Sequence, residues 1–542
     1  MPSPKAAGMN LETRVDMGEI RSKNHVEAQA VRADFPDPGP QRNEVTTGGE
    51  AMSALSAERT ARAVRAALPP GGLFAGLRWR IAPASFPLDR ALAADLERLG
   101  RVLLQFNRAV NLLYRQSVAG KQPAWVAEWL DRGKPSELIA WQRHPSFKND
   151  LPRVIRPDIL LTDEGFVITE LDSVPGGIGL TAWLNRTYAA LESAGAGGCG
   201  RPDLDAAGGA PAEGRGRGGR ISSELARSVG ILGGPRGMVD GFTSIFGDAP
   251  RVHIVVSQEA ATYRPEMEWL TGELESGEWG VKSGECGGQR AEYRVRDAEF
   301  DRVQSGDAVY RFFELFDLEN VRAARRLFEL ASARRIRLTP PPKPIFEEKM
   351  LFALLWNRNL RGFWRQELGE SFVRRLLACV PVTWVMDPAP LPPHAALPGL
   401  DLTDWRQLKG LSQRERDLVL KVSGYSDQAW GARSVALGSD LSAGDWGAAV
   451  DHALRSFARS PYVLQRYHKP RTVAATWFDF ERGQTIPMAG RARLCPYYFV
   501  AGEGEAARAR LGGVLATICP ADKKIIHGMQ EAILAPCRVD DD

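Results

Sequence analysis

The stretch that most clearly decides the fold is VIRPDILLTDEGFVITELD, residues 154–172 of this 542-residue chain. Two arms rich in apolar side chains flank Asp163-Glu164-Gly165, which is typical of a three-residue hairpin loop with glycine in the left-handed position. The arms are therefore predicted to form an antiparallel hairpin. A loop of this length places Asp158 opposite Glu170 and Arg156 opposite Asp172.

Side chains alternate between the two faces of a strand, so this pairing predicts the chemistry of each face. One face would carry Arg156, Asp158, Glu170 and Asp172. The other would be apolar, with Ile155, Ile159, Leu161, Val167 and Leu171. Neighbouring carboxylates repel one another, and Mg²⁺, which binds carboxylate oxygens together with substrate phosphates, would relieve that repulsion. The alternative is a solvated face with one surface ion pair, which does not explain three acids together.

A second group of residues suited to phosphate follows about 250 residues later. Leu418-Val-Leu-Lys-Val422 predicts a short strand whose apolar neighbours bury the stem of Lys421. It leads into the glycine-bearing loop 423–431 (SGYSDQAWG) and then a predicted strand at 433–437. The amides of such a loop and the lysine ammonium can bind phosphate, although an ordinary hairpin with a surface lysine is equally compatible. The GxxxxGK[ST] pattern of P-loops is absent, and no GxGxxG lies at a strand-to-helix junction.

Composition is that of a globular protein with more than one domain. Apolar residues make up 44% and charged residues 25% of the chain, as in ordinary soluble proteins. A net charge of +4 is too small and dispersed for nucleic-acid binding, which needs a clustered basic face. The six cysteines form no CxxC pair, and no apolar run approaches the ~20 residues of a membrane-spanning helix. We therefore expect a cytoplasmic protein with reduced thiols that binds neither nucleic acid nor membranes.

Periodicity and low-complexity stretches predict the domain organisation. Leucines and other apolar residues recur in steps of three and four over about 87–117, which predicts a long amphipathic helix. Strands that alternate with helices predict an α/β unit with a parallel sheet over about 228–340. The predicted segments are a disordered extension (1–50), a helical region with the carboxylate hairpin (51–192), a flexible Gly/Ala-rich insertion (193–227), the α/β unit (228–340) and a final domain (341–542).

In their order and spacing these features resemble the circularly permuted ATP-grasp superfamily, which includes glutathionylspermidine synthetase. In that family an Arg-x-Asp precedes a Glu-x-Asn at a fixed short interval and supplies a catalytic arginine and the magnesium ligands. Arg156-Pro-Asp158 and Glu170-Leu-Asp172 stand at that interval, with Asp172 in place of the asparagine. The extra negative charge could alter metal number or affinity. The resemblance covers about 85–540 and implies a mixed α/β (α+β) fold: a circularly permuted ATP-grasp fold with a pre-ATP-grasp α/β domain and an N-terminal helical region.

The resemblance extends to further positions of the chain. Lys349 resembles the lysine that opens the helix of the nucleotide-binding half, and Lys421 resembles the second ATP lysine. Residues 462–467 resemble the strand whose main chain contacts adenine. The implied ligands are Lys349, Lys421, Ser423, Gly424, Gln465 and Tyr467 for ATP, and Asp158, Glu170 and Asp172 for Mg²⁺. Arg311, in the strand ahead of the nucleotide half, and Arg491 and Arg493, on one face of a late hairpin arm, are candidate substrate contacts; two exposed arginines are the alternative for the latter pair.

The function implied by the resemblance is an ATP- and Mg²⁺-dependent ligase that joins a small-molecule or peptide carboxylate to an amine through an acyl phosphate. Lys349, Lys421 and the loop 423–431 would hold the triphosphate, and Arg156 would stabilise charge on the transferring phosphoryl group. Two alternatives stay open. One is a phosphotransferase on the same fold, and the other is a nucleotide-binding relative without turnover.

Overall fold

The computed structural model describes residues 48–72, 74, 79–196, 230–276, 291–391, 395–526 and 531–540. Most of the predicted disordered extension and of the Gly/Ala-rich insertion lies outside these residues. Within them, residues 193–196 belong to a helix and not to an insertion, and the first helix begins at Gly48, inside the predicted extension. The fold described here is that of the unit Met52–Asp542.

The described elements alternate between helices and strands throughout the chain. The helices are α1 (Gly48–Ala66), α2 (Arg90–Val118), α3 (Ala124–Asp131), α4 (Ser136–Arg143), α5 (Ile178–Ala196), α6 (Gly237–Ser244), α7 (Arg264–Ser276), α8 (Ala324–Ser332), α9 (Leu351–Trp356), α10 (Arg361–Cys379) and α11 (Ala443–Ser456). The strands are β1 (Arg80–Ile81), β2 (Phe86–Leu88), β3 (Val154–Thr162), β4 (Gly165–Asp172), β5 (Arg251–Val256), β6 (Glu292–Arg296), β7 (Ala308–Phe312), β8 (Arg337–Thr339), β9 (Thr383–Val385), β10 (Leu418–Val422), β11 (Ala436–Leu437), β12 (Tyr462–Arg466), β13 (Thr472–Asp479), β14 (Gln484–Ala501), β15 (Arg508–Pro520) and β16 (Ile533–Val539).

The strands of the described ranges form three sheets, so the mixed α/β class is confirmed. The largest has the order β1-β16-β15-β14-β3-β4, with β13 paired to β14 and β2 to β16. A second, antiparallel sheet has the order β11-β10-β12-β9. The third has the order β6-β5-β7-β8 and is parallel throughout. This third sheet is the α/β unit that the alternating strands and helices predict.

The predicted hairpin is present, and its register at the charged residues is correct. Arg156 pairs with Asp172 and Asp158 with Glu170. The turn itself differs, because Gly165 already pairs with Thr162 and leaves a two-residue turn. A β-bulge next to Asp158 adds one residue to β4 and restores the predicted pairing,. Between turn and bulge the faces are exchanged, so Ile168 and not Val167 packs into the apolar core with Ile159.

The apolar face of the large sheet packs against α2, the long helix that the periodicity predicts. Asp89 caps its first turn, accepting the amide of Leu92 at 2.7 Å, which satisfies a backbone donor that the helix leaves free. Its apolar stripe, which includes Leu96, Leu99 and Leu113, is buried in one core with Ile155 and residues of α9 and α10. Because this core fills one side of β3, the charged side chains of the hairpin must face the other side.

Two predicted elements that flank Lys421 and the loop 423–431 are shorter than expected. The helix that Lys349 was expected to open begins later, because a 3₁₀ turn ends at Glu347 and α9 begins only at Leu351. Lys349 therefore lies in the connection between them. The strand predicted over 433–437 is reduced to β11. None of the described helices is long and apolar enough to cross a membrane.

Candidate active site

The charged face of the hairpin is a chain of ion pairs in which arginines and carboxylates alternate. Arg156 Nη2 lies 2.9 Å from Asp172 Oδ2, and Arg156 Nε lies 3.1 Å from Asp158 Oδ1. Arg493 Nη1 donates to Asp158 Oδ2 at 3.2 Å. The thiol of Cys495 donates to Asp158 Oδ1 at 3.5 Å. Burial lowers the pKa of Arg156, but Asp158 and Asp172 outweigh it and hold the pKa well above its usual value, so this guanidinium is a permanent positive charge.

Strand β14 brings only one of the two candidate arginines to the acids. Arg493 pairs with Leu160 in the sheet, which places its side chain beside Asp158. Arg491 instead donates to the backbone carbonyl of Lys523 at 3.3 Å. Within the described residues the Nε atoms of both arginines are buried without a hydrogen-bond partner. Such donors favour an anionic ligand at this end of the face.

Two lysines from distant parts of the chain complete the charged face. Lys349 Nζ lies 2.7 Å from Glu170 Oε1 and donates to the carbonyl of Ala429 at 2.9 Å. Lys421 Nζ donates to the carbonyl of Thr169 at 3.2 Å and to Gln465 Oε1 at 2.8 Å. The two groups of residues recognised in the sequence therefore lie on one surface.

The lysines differ in their electrostatic state. Burial lowers the pKa of Lys421 to about 8; Glu170 opposes this shift, and Lys349 adds to it. For Lys349 burial also lowers the pKa, but the paired Glu170 outweighs burial and raises it. Lys421 therefore has more positive charge to gain from an anionic ligand than Lys349 does.

Ser423 and Gly424 pack closely against residues 347–350. Ser423 is fully buried; its hydroxyl donates to Glu348 and accepts the amide of Met350 at 2.9 Å. Glu348 is also paired with Lys134, and both side chains are 1% exposed. At Gly424 a Cβ atom would lie 2.5 Å from the carbonyl oxygen of Glu347, so a larger residue does not fit. The phosphate contact predicted for the Ser423 side chain is therefore not available in this structure.

The rest of the loop 423–431 docks on the α/β unit. Trp430 packs edge-on against Tyr263, with ring centroids 6.0 Å apart. Arg433, just beyond the loop, forms an ion pair of 2.7 Å with Glu259. Together with the bond from Lys349 to Ala429, these contacts hold the loop over the charged face.

Of the two residues predicted to lie nearest adenine, Gln465 contacts a lysine of the charged face. Gln465 is buried; its oxygen accepts from Lys421 and its amide donates to Thr383 at 3.1 Å. Tyr467 is partly buried, and burial raises the pKa of its phenol while the nearby Arg491 lowers it. Tyr467 therefore lies near Arg491.

Arg311 is bonded within the protein, whereas the sequence predicts that it contacts substrate. It is fully buried, and its Nη2 donates to Glu347 Oε1 at 2.6 Å while Nε donates to the carbonyl of Pro340 at 3.3 Å. A third bond goes to the carbonyl of Phe313. These contacts join β7 to the segment that precedes Lys349 and leave no exposed guanidinium for a substrate.

The three carboxylates offer the oxygen ligands that Mg²⁺ prefers, but their side chains are not grouped around one metal position,. Within the described ranges no three His, Cys, Asp or Glu side chains are placed to hold a metal ion. Asp158, Glu170 and Asp172 each engage a cationic side chain instead. Mg²⁺ commonly uses only one or two carboxylates and completes its shell with phosphates and water, so these oxygens could serve it together with a nucleotide.

The turn after β4 is held by contacts that the sequence does not predict. Gly176 O accepts from Arg156 Nη1 at 3.3 Å and from the hydroxyl of Tyr497 at 2.7 Å. Glu266, fully buried on α7, accepts the amides of Gly177 at 2.7 Å and Leu180 at 2.9 Å. Glu266 carries no sequence signal for this contact, because only the packing of α7 on the turn creates it.

A separate cavity of about 1820 Å³ contains none of the predicted site residues. It lies between α2, the connection before β3 and the β14–β15 turn, and several arginines line it. These are largely committed within the protein: Arg334 pairs with Asp150, and Arg337 pairs with Asp248. The charged face of the hairpin is therefore the better candidate for chemistry.

Two of the known structures that resemble this chain illustrate how distant the likeness is. A glutathione synthetase-like effector from Globodera pallida, in its apo form, is 12% identical, covers 92% of this chain and 98% of its own, and has a TM-score of 0.49. A candidate gamma-glutamylcysteine synthetase from Methylobacillus flagellatus is 11% identical, covers 80% of this chain and 86% of its own, and has a TM-score of 0.30. No protein-family model and no curated protein matches the chain. These likenesses do not establish a family, so the function is inferred from the geometry of the site.

Proposed function

We propose that this protein is an ATP- and Mg²⁺-dependent carboxylate–amine ligase on a circularly permuted ATP-grasp fold. The observation that supports the proposal is that two lysines lie against the hairpin that carries the acids. Lys349 contacts Glu170, and Lys421 contacts the preceding residue, Thr169. Alternating cations and carboxylates on one partly buried surface suit a triphosphate, because phosphoryl transfer depends on positioning and charge neutralisation.

Each side chain has a role that follows from its contacts. When ATP binds, Lys349 and Lys421 would leave the protein oxygens that they now contact and bind phosphate oxygens instead. Arg156, permanently charged and fixed by two aspartates, would stabilise the phosphoryl group as it passes to the substrate carboxylate. Mg²⁺ held by Asp158, Glu170 or Asp172 would supply charge neutralisation at the phosphates. The amine would then attack the acyl phosphate, forming the amide and releasing phosphate.

The loop 423–431 would protect this intermediate from hydrolysis. Its contacts to Tyr263 and Lys349 hold it over the face, and the left-handed backbone at Gly431 (φ 64°) gives it a hinge. A loop that covers a reactive acyl phosphate excludes water until the amine reacts.

The test uses Mg²⁺-dependent ATP binding and turnover. We expect Mg-ATP to raise the melting temperature of the wild-type protein, and ADP to form over many turnovers only when a carboxylate and an amine are both supplied from a panel. Glu170→Gln should keep the fold but lose at least about tenfold in turnover and weaken the Mg²⁺ dependence, because it removes a candidate ligand. Glu137→Gln, which removes an exposed ion pair with Arg325, is the control and should change neither.

Two results would contradict the proposal. The first is a wild-type protein whose melting temperature does not respond to Mg-ATP. The second is a phosphorylated acceptor that accumulates without an amide, which would indicate a phosphotransferase instead.

A further inference from the structure

The two glutamates that precede Lys349 are both buried and both bonded to cations. Glu347 Oε1 accepts from Arg311 Nη2 at 2.6 Å. Glu348 Oε1 lies 2.5 Å from the ammonium nitrogen of Lys134. The side chains of these glutamates are only 6% and 1% exposed. Two buried charge pairs, with cations from different parts of the chain, therefore hold the segment that leads into Lys349.

Ser423, which follows β10 directly, is bonded to the same segment three times. Its carbonyl oxygen accepts the amide of Lys349 at 2.9 Å, and its hydroxyl oxygen accepts the amide of Met350 at 2.9 Å. The hydroxyl also donates to Glu348 Oε2. Glu348 thus uses one carboxyl oxygen for Lys134 and the other for Ser423. Its side chain connects Lys134 to the backbone on both sides of the Lys349 amide.

Lys134 comes from a distant part of the chain, in the connection between α3 and α4. The residue before it, Gly133, has a φ of 74°, and a Cβ atom there would collide with the carbonyl oxygen of Arg459. The ammonium nitrogen of Lys134 also lies 6.0 Å from the centre of the Tyr425 ring, at the limit of a cation–π contact. Lys134 therefore reaches the Lys349 segment and the start of the loop 423–431 from a closely packed connection.

Stability alone does not explain a fully buried ion pair at this position. The cost of removing two charges from water is comparable to their attraction, so apolar side chains of similar volume often stabilise a fold as well. The pair of Lys134 and Glu348 contributes geometry, because it fixes the carboxyl group that Ser423 contacts. A side chain that binds phosphate needs neighbours whose own positions are fixed.

We propose that Lys134 is a positioning residue that sets the place of Lys349 by way of Glu348. The inference rests on the proposed function, in which Lys349 binds the nucleotide. Because the Lys134 side chain is 1% exposed and bonded to Glu348, it acts without touching the nucleotide itself. The same contacts fix the loop at Ser423, so the end at Gly431 is the one that opens.

The first measurement needs no ligand. Hydrogen exchange followed by mass spectrometry reports on the amides of Lys349 and Met350, which Ser423 accepts. We expect Lys134→Met to raise the exchange rate of these two amides at least about tenfold, because their partner is no longer held in place. The amides of strand β14 should exchange at the wild-type rate, since the effect is local.

The matched control is Lys343→Met, which also removes a buried ammonium group. Lys343 donates to Asn111 Oδ1 at 2.9 Å and to the backbone carbonyls of Lys148 and Asp150. None of these partners belongs to residues 347–350 or to the loop 423–431. Lys343→Met should therefore leave exchange at the two amides unchanged, even if it lowers the melting temperature.

The second measurement is the Kd for Mg-ATP, obtained by calorimetric titration. Lys134→Met should raise the Kd at least about tenfold in the wild-type background but less than about threefold in the Lys349→Met background, because a residue that acts through Lys349 then has little left to act on. A merely structural role would weaken binding by the same factor in both backgrounds. Lys343→Met should leave the Kd unchanged.

Each outcome has a distinct meaning. Unchanged exchange at the two amides in Lys134→Met overturns the proposal, and so does faster exchange throughout the protein, β14 included. An equal loss of affinity in the two backgrounds also overturns it. If Mg-ATP does not bind the wild type, the ligase function fails, and the exchange rates alone then decide whether Lys134 positions Lys349. Should Lys134→Met fail to fold, Glu348→Gln is added to remove the buried charge that has lost its partner, and the same results are expected of that double variant.

Discussion

Lys421 and Thr169 lie 252 positions apart in sequence, yet the lysine ammonium donates to the threonine carbonyl at 3.2 Å. Thr169 is the extra residue of the β-bulge in β4, and its own hydroxyl bonds to Asp158 O at 3.2 Å. A bulged residue is left out of the regular ladder, so its carbonyl is available to the lysine. The irregularity in the hairpin thus connects the acid face to the second sheet.

Replacing Lys421 should chiefly weaken ATP binding. We expect Lys421→Ala to raise the Kd for ATP at least about tenfold, because a charged phosphate partner is removed while the candidate metal ligands remain. Lys409→Ala, which removes an exposed ion pair with Asp451, is the control and should leave the Kd unchanged. Calorimetric titration with Mg-ATP measures both, and an unaltered Kd for Lys421→Ala would place the nucleotide elsewhere.

Glu266 should make stability fall as the pH rises through weakly acidic values. Burial raises the pKa of this carboxyl from 4.5 to about 7, although the Leu180 and Gly177 amides lower it. The folded state therefore holds the proton more tightly than the unfolded chain, and that advantage, complete below pH 4.5, is lost by about pH 7. The linkage amounts to roughly 3 kcal/mol.

Urea unfolding of the wild type and Glu266→Gln at a series of pH values measures this effect. The glutamine cannot ionise. The unfolding free energy of the wild type should therefore fall relative to that of Glu266→Gln as the pH rises across this window. A difference that stays constant with pH would show that Glu266 does not titrate there.

The aspartate between two arginines should be important for stability as well as chemistry. Asp158→Asn removes the negative charge between Arg156 and Arg493, leaving two partly buried cations close together. We expect a loss of about 3 kcal/mol in the free energy of unfolding, at the lower end of the range found when one partner of a buried ion pair is removed. Asp248→Asn, at an exposed pair with Arg337, should have little effect in the same urea titration. Equal, small effects of both changes would contradict this prediction.

The docking of the loop 423–431 should depend on its contact with the α/β unit. Arg433→Ala removes the ion pair with Glu259, which is exposed and should contribute under about 1 kcal/mol to global stability,. Chymotrypsin cleavage after Tyr425 or Trp430 should nevertheless become faster, because the loop opens more often. Mg-ATP should slow cleavage again if the nucleotide lies beneath the loop. Cleavage at the wild-type rate would mean that Arg433 does not restrain the loop.

The sequence by itself determined the hairpin, its charged face and the main architecture. Strict alternation along β3 put Arg156 and Asp158 on one face, and the helical repeat of apolar residues defined α2, because both depend on local backbone periodicity. The parallel sheet of the α/β unit was predictable for the same reason. Even so, the hairpin register was correct only because two local errors, at the turn and at the bulge, cancel.

Only the tertiary structure decided which partners surround those acids. The bulge at Thr169, the choice of Arg493 over Arg491, and the burial of Arg311 and Ser423 all depend on how separate sheets pack. Glu266 acquired its raised pKa in the same way, from burial among residues distant in sequence. Local periodicity carries no information about such contacts, since the free energy of a buried charge is set by whatever the fold places next to it.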